Sequence, residues 1–247
     1  MESKFKLPTE TVELPSKGLL YPEGHPLSGG TIEMKYMTAK EEDILTNQNY
    51  IKNGTVIDKL LQSLIVTEVK YDDLLVGDKN AIMLAARILS YGKDYEVVLG
   101  EQKQVIDLSS FENKVLDENL YTRGQNEFPF TLPHTGNQIT FKLLTHKDEK
   151  DIEQEVRGLQ KINKDNIAEA TTRLKHIITS INGSYEKKDV REFVDFGLLA
   201  RDARALREEY NRVAPDVDLT VSFEQDGVEK EATLPIGLNF FWPDAGV

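Results

Sequence analysis

The feature that most constrains the fold of this chain is an internal repeat. The segment from Pro26 to Glu42 matches the segment from Pro133 to Glu149 without a gap, at a constant spacing of 107 residues. Proline, glycine, isoleucine, lysine, threonine, lysine and glutamate recur in the same order. Further along, Leu198–Leu206 matches Leu74–Ile82. Chance similarity between capped amphipathic helices is the alternative, but an ungapped match of this length favours two copies of one structural unit.

The residues of the first copy predict the elements of that unit. Thr31–Met37 alternates like a strand, and Thr38 with Glu41 forms a capping box that starts a helix running from about Ala39 to Lys52. Thr55 should cap a second helix and Asp78 a third, which stops at Gly92. A strand at Tyr95–Leu99 closes the unit. The order strand–helix–helix–helix–strand predicts an α+β fold built from two tandem copies.

The repeat also predicts the domain organisation. Residues 1–30 hold four prolines and four glycines, which favours an extended, non-helical N-terminal arm. The first α+β repeat covers residues 31–125, and it includes a short helix at about Phe111–Glu118. The second repeat covers residues 126–237, and Asp226-Gly227 is a hairpin-turn signal within it. Residues 238–247 form an aromatic C-terminal tail.

The overall charge disfavours two classes of partner. The chain has 30 lysines and arginines against 42 aspartates and glutamates, a formal net charge of −12. Nucleic acids and anionic membranes are bound through basic side chains, so we expect neither as a partner. The chain has no cysteine, no run near the length of about 20 apolar residues of a membrane span, and no apolar signal-peptide core. We therefore expect a soluble cytoplasmic protein.

Candidate chemistry is sparse in the sequence. The four histidines are scattered, without the spacing of a metal site. The acidic pairs Glu41-Glu42 and Asp148-Glu149 lie in the first turns of predicted helices, where negative charge favours the helix dipole. No glycine cluster matches a phosphate loop; Gly77-Asp78-Lys79 is better explained as a loop followed by an N-cap. We predict no catalytic residue, no metal site and no cofactor, and so no enzyme.

The two ends of the chain carry the apolar residues that most need a partner. Phe240, Phe241, Trp242 and Pro243 are consecutive, and Trp242 is the only tryptophan. Consecutive aromatic residues must be buried, either within the chain or on another protein, and aromatic side chains are effective interface anchors. Tyr21 and Pro22 in the arm raise the same question. We predict that these six residues bind a partner, with burial in the chain's own core as the open alternative.

Several ordered motifs carry a family resemblance. They are Leu14-Pro15-Ser16-Lys17-Gly18 with Tyr21-Pro22, the run from Pro26 to Thr46, Val56-Ile57-Asp58 with Leu60-Leu61, Leu74-Leu75-Val76-Gly77-Asp78-Lys79-Asn80, and the closing Phe240-Phe241-Trp242-Pro243. Together they span nearly the whole chain. In these motifs the chain resembles the baseplate hub assembly chaperone family of T-even-type contractile-tailed bacteriophages.

The resemblance implies a non-enzymatic morphogenesis protein without catalytic residues or cofactors. Such a protein would bind phage baseplate hub subunits, tape-measure proteins or other tail proteins, and help to assemble the central hub in the host cytoplasm. The second hypothesis is a structural subunit that is retained in the baseplate or tail of the mature virion. The sequence leaves the direct partner and the oligomeric state open.

Overall fold

The architecture is mixed, as the sequence predicts, with short antiparallel sheets and helices in separate segments. The computed structural model describes residues 8–99, 102–162, 168–225 and 228–241. The α+β class is confirmed. The helices are α1 Ala39–Leu45, α2 Gln48–Lys52, α3 Val56–Leu64, α4 Val76–Tyr91, α5 His146–Ile162, α6 Glu169–Ile177, α7 Lys187–Glu192, α8 Ala200–Val213 and α9 Leu238–Phe241. The strands are β1 Thr9–Glu13, β2 Thr31–Lys35, β3 Asp94–Leu99, β4 Gln102–Asp107, β5 Phe128–Thr131, β6 Gln138–Phe141, β7 Ile178–Ile181, β8 Thr220–Gln225 and β9 Val228–Thr233.

The strands pair locally and antiparallel. β1 pairs with β2, β3 with β4, and β8 with β9, while β5, β6 and β7 form a three-stranded sheet in that order. β2 and β6 share one burial pattern, because alternate residues point into the core: Ile32 and Met34 in β2, Ile139 and Phe141 in β6. The predicted Asp226-Gly227 turn between β8 and β9 lies outside the described residues.

The two halves share the order of their main elements. Each has a hairpin, helices, an extended segment that returns to the hairpin, a further helix and a second hairpin. They differ in their helices: three precede the extended segment in the first half and two in the second, where α7 also lies between β7 and α8. In the first half Ile65 forms a bridge to Met34 of β2, and in the second half β7 occupies this position beside β6. The duplication of one unit remains a prediction, and these matched pairings are what the structure adds to it.

The start of α1 has a close counterpart at the start of α5. The carboxylate of Glu41 accepts hydrogen bonds from the Thr38 amide at 3.0 Å and from Lys35 Nζ at 2.9 Å. In α5, Asp148 accepts from the Thr145 amide at 3.0 Å and from Lys142 Nζ at 2.7 Å. Burial acts to raise the pKa of Glu41 and Asp148, but the hydrogen bonds and the lysines outweigh it, so both pKa values are lowered.

Two predicted helices take another form. The helix expected over Ala39–Lys52 is interrupted at Thr46, and the Asn47 side chain caps α2 by accepting hydrogen bonds from the amides of Asn49 and Tyr50. The helix expected at Phe111–Glu118 is absent from this fully described segment. There the backbone of Asn113 forms a bridge to Val217, which satisfies backbone groups that a helix would have paired internally.

The N-terminal segment differs from the extended arm that its composition predicts. After β1, residues 14–30 form successive turns that fold onto the core, and Leu14, Leu20 and Leu27 are buried. Gly18 and Gly30 have positive φ angles of 74° and 78°, and a Cβ on Gly18 would lie 2.6 Å from the Gly30 nitrogen. Glycine therefore allows tight turns and close backbone contact here, whereas the glycine content of residues 1–30 predicts an extended arm.

The two halves meet at the start of α4. The carbonyl oxygen of Pro215 would lie 1.8 Å from a Cβ on Gly77, so only glycine allows this approach. Leu75 forms an antiparallel bridge to Thr145, just before α5. One core cluster contains side chains from both halves, among them Leu60, Leu144 and Phe241. The halves therefore share a hydrophobic core.

We expect Gly77→Ala to destabilise the protein by about 1–3 kcal/mol or more, because the methyl group forces Pro215 and α4 apart. Gly158→Ala is the matched control: Gly158 lies on an exposed position of α5 with open space around it, and alanine should stabilise the helix by up to about 1 kcal/mol. Urea unfolding of both variants gives the two free energies. A Gly77→Ala variant as stable as wild type would contradict the close contact.

Candidate interaction surface

Tyr21, predicted as a partner contact, lies inside the chain's own structure. Its side chain is buried, and its ring stacks on His25 at a centroid distance of 4.8 Å. The hydroxyl donates to Asp78 Oδ2 at 2.8 Å and accepts the Leu75 amide at 3.1 Å. Burial, followed by the charge of Asp78, raises the pKa of Tyr21, so the phenol stays protonated at neutral pH. Pro22 is exposed.

Asp78 is the centre of this buried arrangement, although the sequence suggested that it was a helix cap. Leu75 occupies the N-cap position, and Asp78 lies in the first turn of α4. Its carboxylate accepts the Ser16 amide at 2.9 Å, the Ser16 hydroxyl at 2.7 Å and the Tyr21 hydroxyl. Burial raises the pKa of Asp78 in spite of these three hydrogen bonds. Asp78 thus fastens the N-terminal turns to α4.

Asp202 occupies the corresponding place at the start of α8. It is fully buried and accepts the amides of His134 at 2.9 Å and Thr135 at 3.2 Å, in the connection between β5 and β6. Burial acts to raise the pKa of Asp202, but the hydrogen bonds from His134 and Thr135 outweigh it and the pKa is lowered. Through one buried carboxylate each, α4 and α8 therefore hold the hairpin connection of their own half.

The C-terminal aromatic residues that the structure describes are also buried within the chain. Phe240 and Phe241 are 1% and 0% exposed, and Phe240 packs against Tyr95 at 5.1 Å between ring centroids. The buried Arg87 donates to the Phe240 carbonyl at 3.0 Å. Burial of each phenylalanine contributes about 2 kcal/mol. Trp242 and Pro243 lie outside the described residues. The partner-binding role of all six residues stays a prediction.

Exposed apolar side chains mark another surface, on the β3–β4 hairpin and the β8–β9 hairpin. Val98 of β3 is 61% exposed, Val105 of β4 is 65% exposed and Val228 of β9 is 56% exposed. β3 and β4 pair with each other, as do β8 and β9, and within the described residues neither hairpin has a third strand. Their outer edges therefore present backbone amide and carbonyl groups that can pair with an added strand.

A groove of about 520 Å³ separates the two hairpins. One wall is Gln104–Ile106 of β4, and the other is Thr220–Ser222 of β8. At its base the chain runs from one half to the other, because the Lys114 amide donates to Asp216 O and the Asp218 amide donates to Glu112 O, both at 2.9 Å. A groove between two open strand edges suits an extended polypeptide segment, which could pair with either edge.

A cluster of titratable side chains lies where the two halves meet. Tyr71 and Lys79 both bond Asp58 Oδ1, at 3.0 and 2.7 Å, and Lys79 Nζ lies 3.2 Å from Nδ1 of the buried His146. Burial, with the charge of Lys79, lowers the pKa of His146, so its ring is neutral at neutral pH. A neutral ring accepts from Lys79 at Nδ1 and holds its proton on Nε2, which faces Asp58. These side chains have their hydrogen-bond partners within the cluster, and the cluster joins α3, α4 and α5.

Sequence reasoning missed the hairpin groove and the roles of Asp78 and Asp202. Single exposed valines are ordinary in a strand, so no signal in the sequence marked the groove. The matched positions of Asp78 and Asp202 in the repeat were a usable signal, since two aspartates recur at the same point of two helices. In the described parts of the chain, no group of histidine and acidic residues could hold a metal ion. No helix there is long and apolar enough to cross a membrane.

Comparison with known families gives one match. A family model described as T4 bacteriophage base plate protein matches residues 8–242. Comparison with curated proteins and with solved structures gave no match. The family match takes in both halves, the N-terminal turns and the C-terminal phenylalanines.

The two buried aspartates should give stability opposite dependences on pH. The folded pKa of Asp78 lies above the ordinary 3.8, so its contribution is present at low pH and falls as the pH rises above 3.8. The folded pKa of Asp202 lies below 3.8, so its contribution is present above 3.8 and is lost as the pH falls through the folded pKa.

Urea unfolding of wild type, Asp78→Asn and Asp202→Asn from about pH 3 to about pH 7 measures both effects. As the pH rises, the stability of wild type relative to Asp78→Asn should fall. Relative to Asp202→Asn, the stability of wild type should rise, and the change should lie at the acid end. Two differences that move in the same direction would contradict the assignment.

Proposed function

The chain belongs to the T4 bacteriophage base plate protein family, and from this membership we propose that it assists assembly of the central hub of a phage tail baseplate. In this proposal it is a non-enzymatic assembly chaperone that binds hub subunits, tape-measure proteins or other tail proteins in the host cytoplasm. The match to residues 8–242 covers nearly the whole chain and supports the baseplate part of the proposal, while the chaperone role rests on the resemblance of the sequence motifs.

The contacts of the titratable side chains support a binding role without catalysis. Asp78, Asp202 and the Asp58–Lys79–His146 cluster all hold elements of the fold together. In the described residues, each of these groups has its hydrogen bonds met by neighbours within the chain. A catalytic group needs instead to face a substrate that it can reach.

The groove between the hairpins is the surface we assign to the partner. A hub or tail subunit would place an extended segment between β4 and β8, with main-chain hydrogen bonds to one open edge and apolar contacts to Val105 and Val221. The net charge of −12 favours a partner segment that carries lysine or arginine, because opposite charges speed association and favour the correct partner.

The first test places a lysine in the groove. Val105→Lys introduces a charge at an exposed position opposite Glu96 in the register, so the hairpin should fold normally. We expect capture of an identified hub or tail subunit from infected cells to fall about tenfold or more, since a lysine blocks strand addition at an edge.

Val228→Lys is the matched control, because it adds the same charge. Val228 is 56% exposed, lies opposite Gln225 in the β8–β9 hairpin, and does not line the groove. This variant should capture the subunit as wild type does. Equal loss in both variants, or no loss in Val105→Lys, would remove the groove from the proposal.

The second test is the protein content of purified virions, measured by quantitative mass spectrometry against infected-cell lysate. A transient chaperone should be abundant in the lysate and absent from the particles. Stoichiometric presence in virions would contradict the transient role and favour the alternative, a structural subunit retained in the baseplate or tail. Particles from cells infected in the absence of this protein should then be examined for incomplete tails.

A further inference from the structure

The contact between the two halves is built from backbone hydrogen bonds between two short segments. Leu74–Val76, which ends at the first residue of α4, lies antiparallel to Leu144–His146, which ends at the first residue of α5. The Val76 amide donates to the Leu144 carbonyl at 3.1 Å, and the His146 amide donates to the Leu74 carbonyl at 2.7 Å. Leu74, Leu75 and Leu144 are buried by this contact and the surrounding core.

Each of these segments has a counterpart in the other half. By the sequence match, Leu198–Ala200 corresponds to Leu74–Val76, and Met37–Ala39 corresponds to Leu144–His146. The backbone supports the first correspondence: φ and ψ are −64° and 146° at Leu75, and −68° and 146° at Leu199. Leu199 thus has the extended backbone conformation that Leu75 has where it pairs with Thr145.

The counterpart segments are more exposed than the internal ones, although Met37 and Leu198 pack partly against the core. Leu75 is 3% exposed, whereas Leu199 is 53% exposed and the nearby Phe196 is 88% exposed. Ala39 is exposed, whereas its counterpart His146 is buried. Within the described residues, no backbone hydrogen bond joins the segment before α8 to the segment before α1. The second half therefore presents an apolar edge of the same kind as the one the first half uses.

The two free segments also carry complementary charge. Arg201 is exposed in the first turn of α8, beside Leu199, and Arg204 in the next turn pairs with Glu208 at 2.8 Å. On α1 the exposed residues after Ala39 are Lys40, Glu42 and Asp43, which together carry a net negative charge. Opposite charges on the two edges favour one orientation of contact and disfavour pairing of each edge with itself.

We propose that the occupant of the Leu198–Ala200 edge is a second copy of this chain. The edge of one copy pairs with Met37–Ala39 of the next copy, and it repeats between molecules the contact that joins the halves within one molecule. The two surfaces are different, so the contact is head to tail, and it generates a closed ring or an open filament. This assembly goes beyond the proposed chaperone role and does not depend on it.

The test blocks the two surfaces separately in the full chain. Leu199→Glu and Ala39→Arg change exposed side chains on opposite partners of the contact, and Val115→Glu changes a fully exposed valine elsewhere as the control. Analytical ultracentrifugation should detect self-association of wild type and Val115→Glu. The association constant for self-association should fall about tenfold or more in Leu199→Glu and in Ala39→Arg.

Mixing the two blocked variants identifies the geometry. Leu199→Glu keeps an intact Met37–Ala39 surface, and Ala39→Arg keeps an intact Leu198–Ala200 surface, so an equimolar mixture should form dimers through one native contact and nothing larger. A wild type that stays monomeric at its highest soluble concentration would overturn the proposal. So would equal loss in Val115→Glu, or a mixture that remains monomeric.

Discussion

The buried carboxylate of Asp78 is the interaction on which the rest of the structure depends. It accepts hydrogen bonds from Ser16 and Tyr21, which hold the N-terminal turns on α4. The Tyr21 hydroxyl in turn accepts the amide of Leu75, and Leu75 pairs with Thr145 of the second half. One desolvated acid therefore connects the N-terminal turns, the first long helix and the junction between the halves. Removing it would leave several buried donors unpaired at once.

A buried carboxylate, Asp202, also holds the second half together, but its pKa is lowered whereas that of Asp78 is raised. Asp202 accepts two backbone amides. At Asp78 the hydrogen bonds from Ser16 and Tyr21 lower the pKa less than burial raises it, whereas at Asp202 the hydrogen bonds from His134 and Thr135 prevail. Matched positions in the two halves thus have pKa values that are shifted in opposite directions.

The sequence predicted those helix ends and strands that are determined by interactions between residues close together in the chain. The capping box at Thr38, the helix end at Gly92 and the β2 strand were predicted because their causes lie within a few residues. The role of Asp78 was missed because its partner Ser16 lies 62 residues away, and a helix-start aspartate is ordinarily a cap. Gly77 was assigned to a loop for the same reason, since the approach of Pro215 is a tertiary contact.

Two similar halves in tandem have a geometric consequence. Within one chain, the contact joins Leu74–Val76 of the first half to Leu144–His146 of the second half. These are two different surfaces. Within the described residues, Leu198–Ala200 and Met37–Ala39 take no part in the backbone contact between the halves, and in the proposed assembly these two surfaces pair with each other. The hairpin groove shares no residue with either surface. Binding of a tail subunit in the groove and head-to-tail contact between copies can therefore occur together, and a ring or filament of copies would present the groove repeatedly.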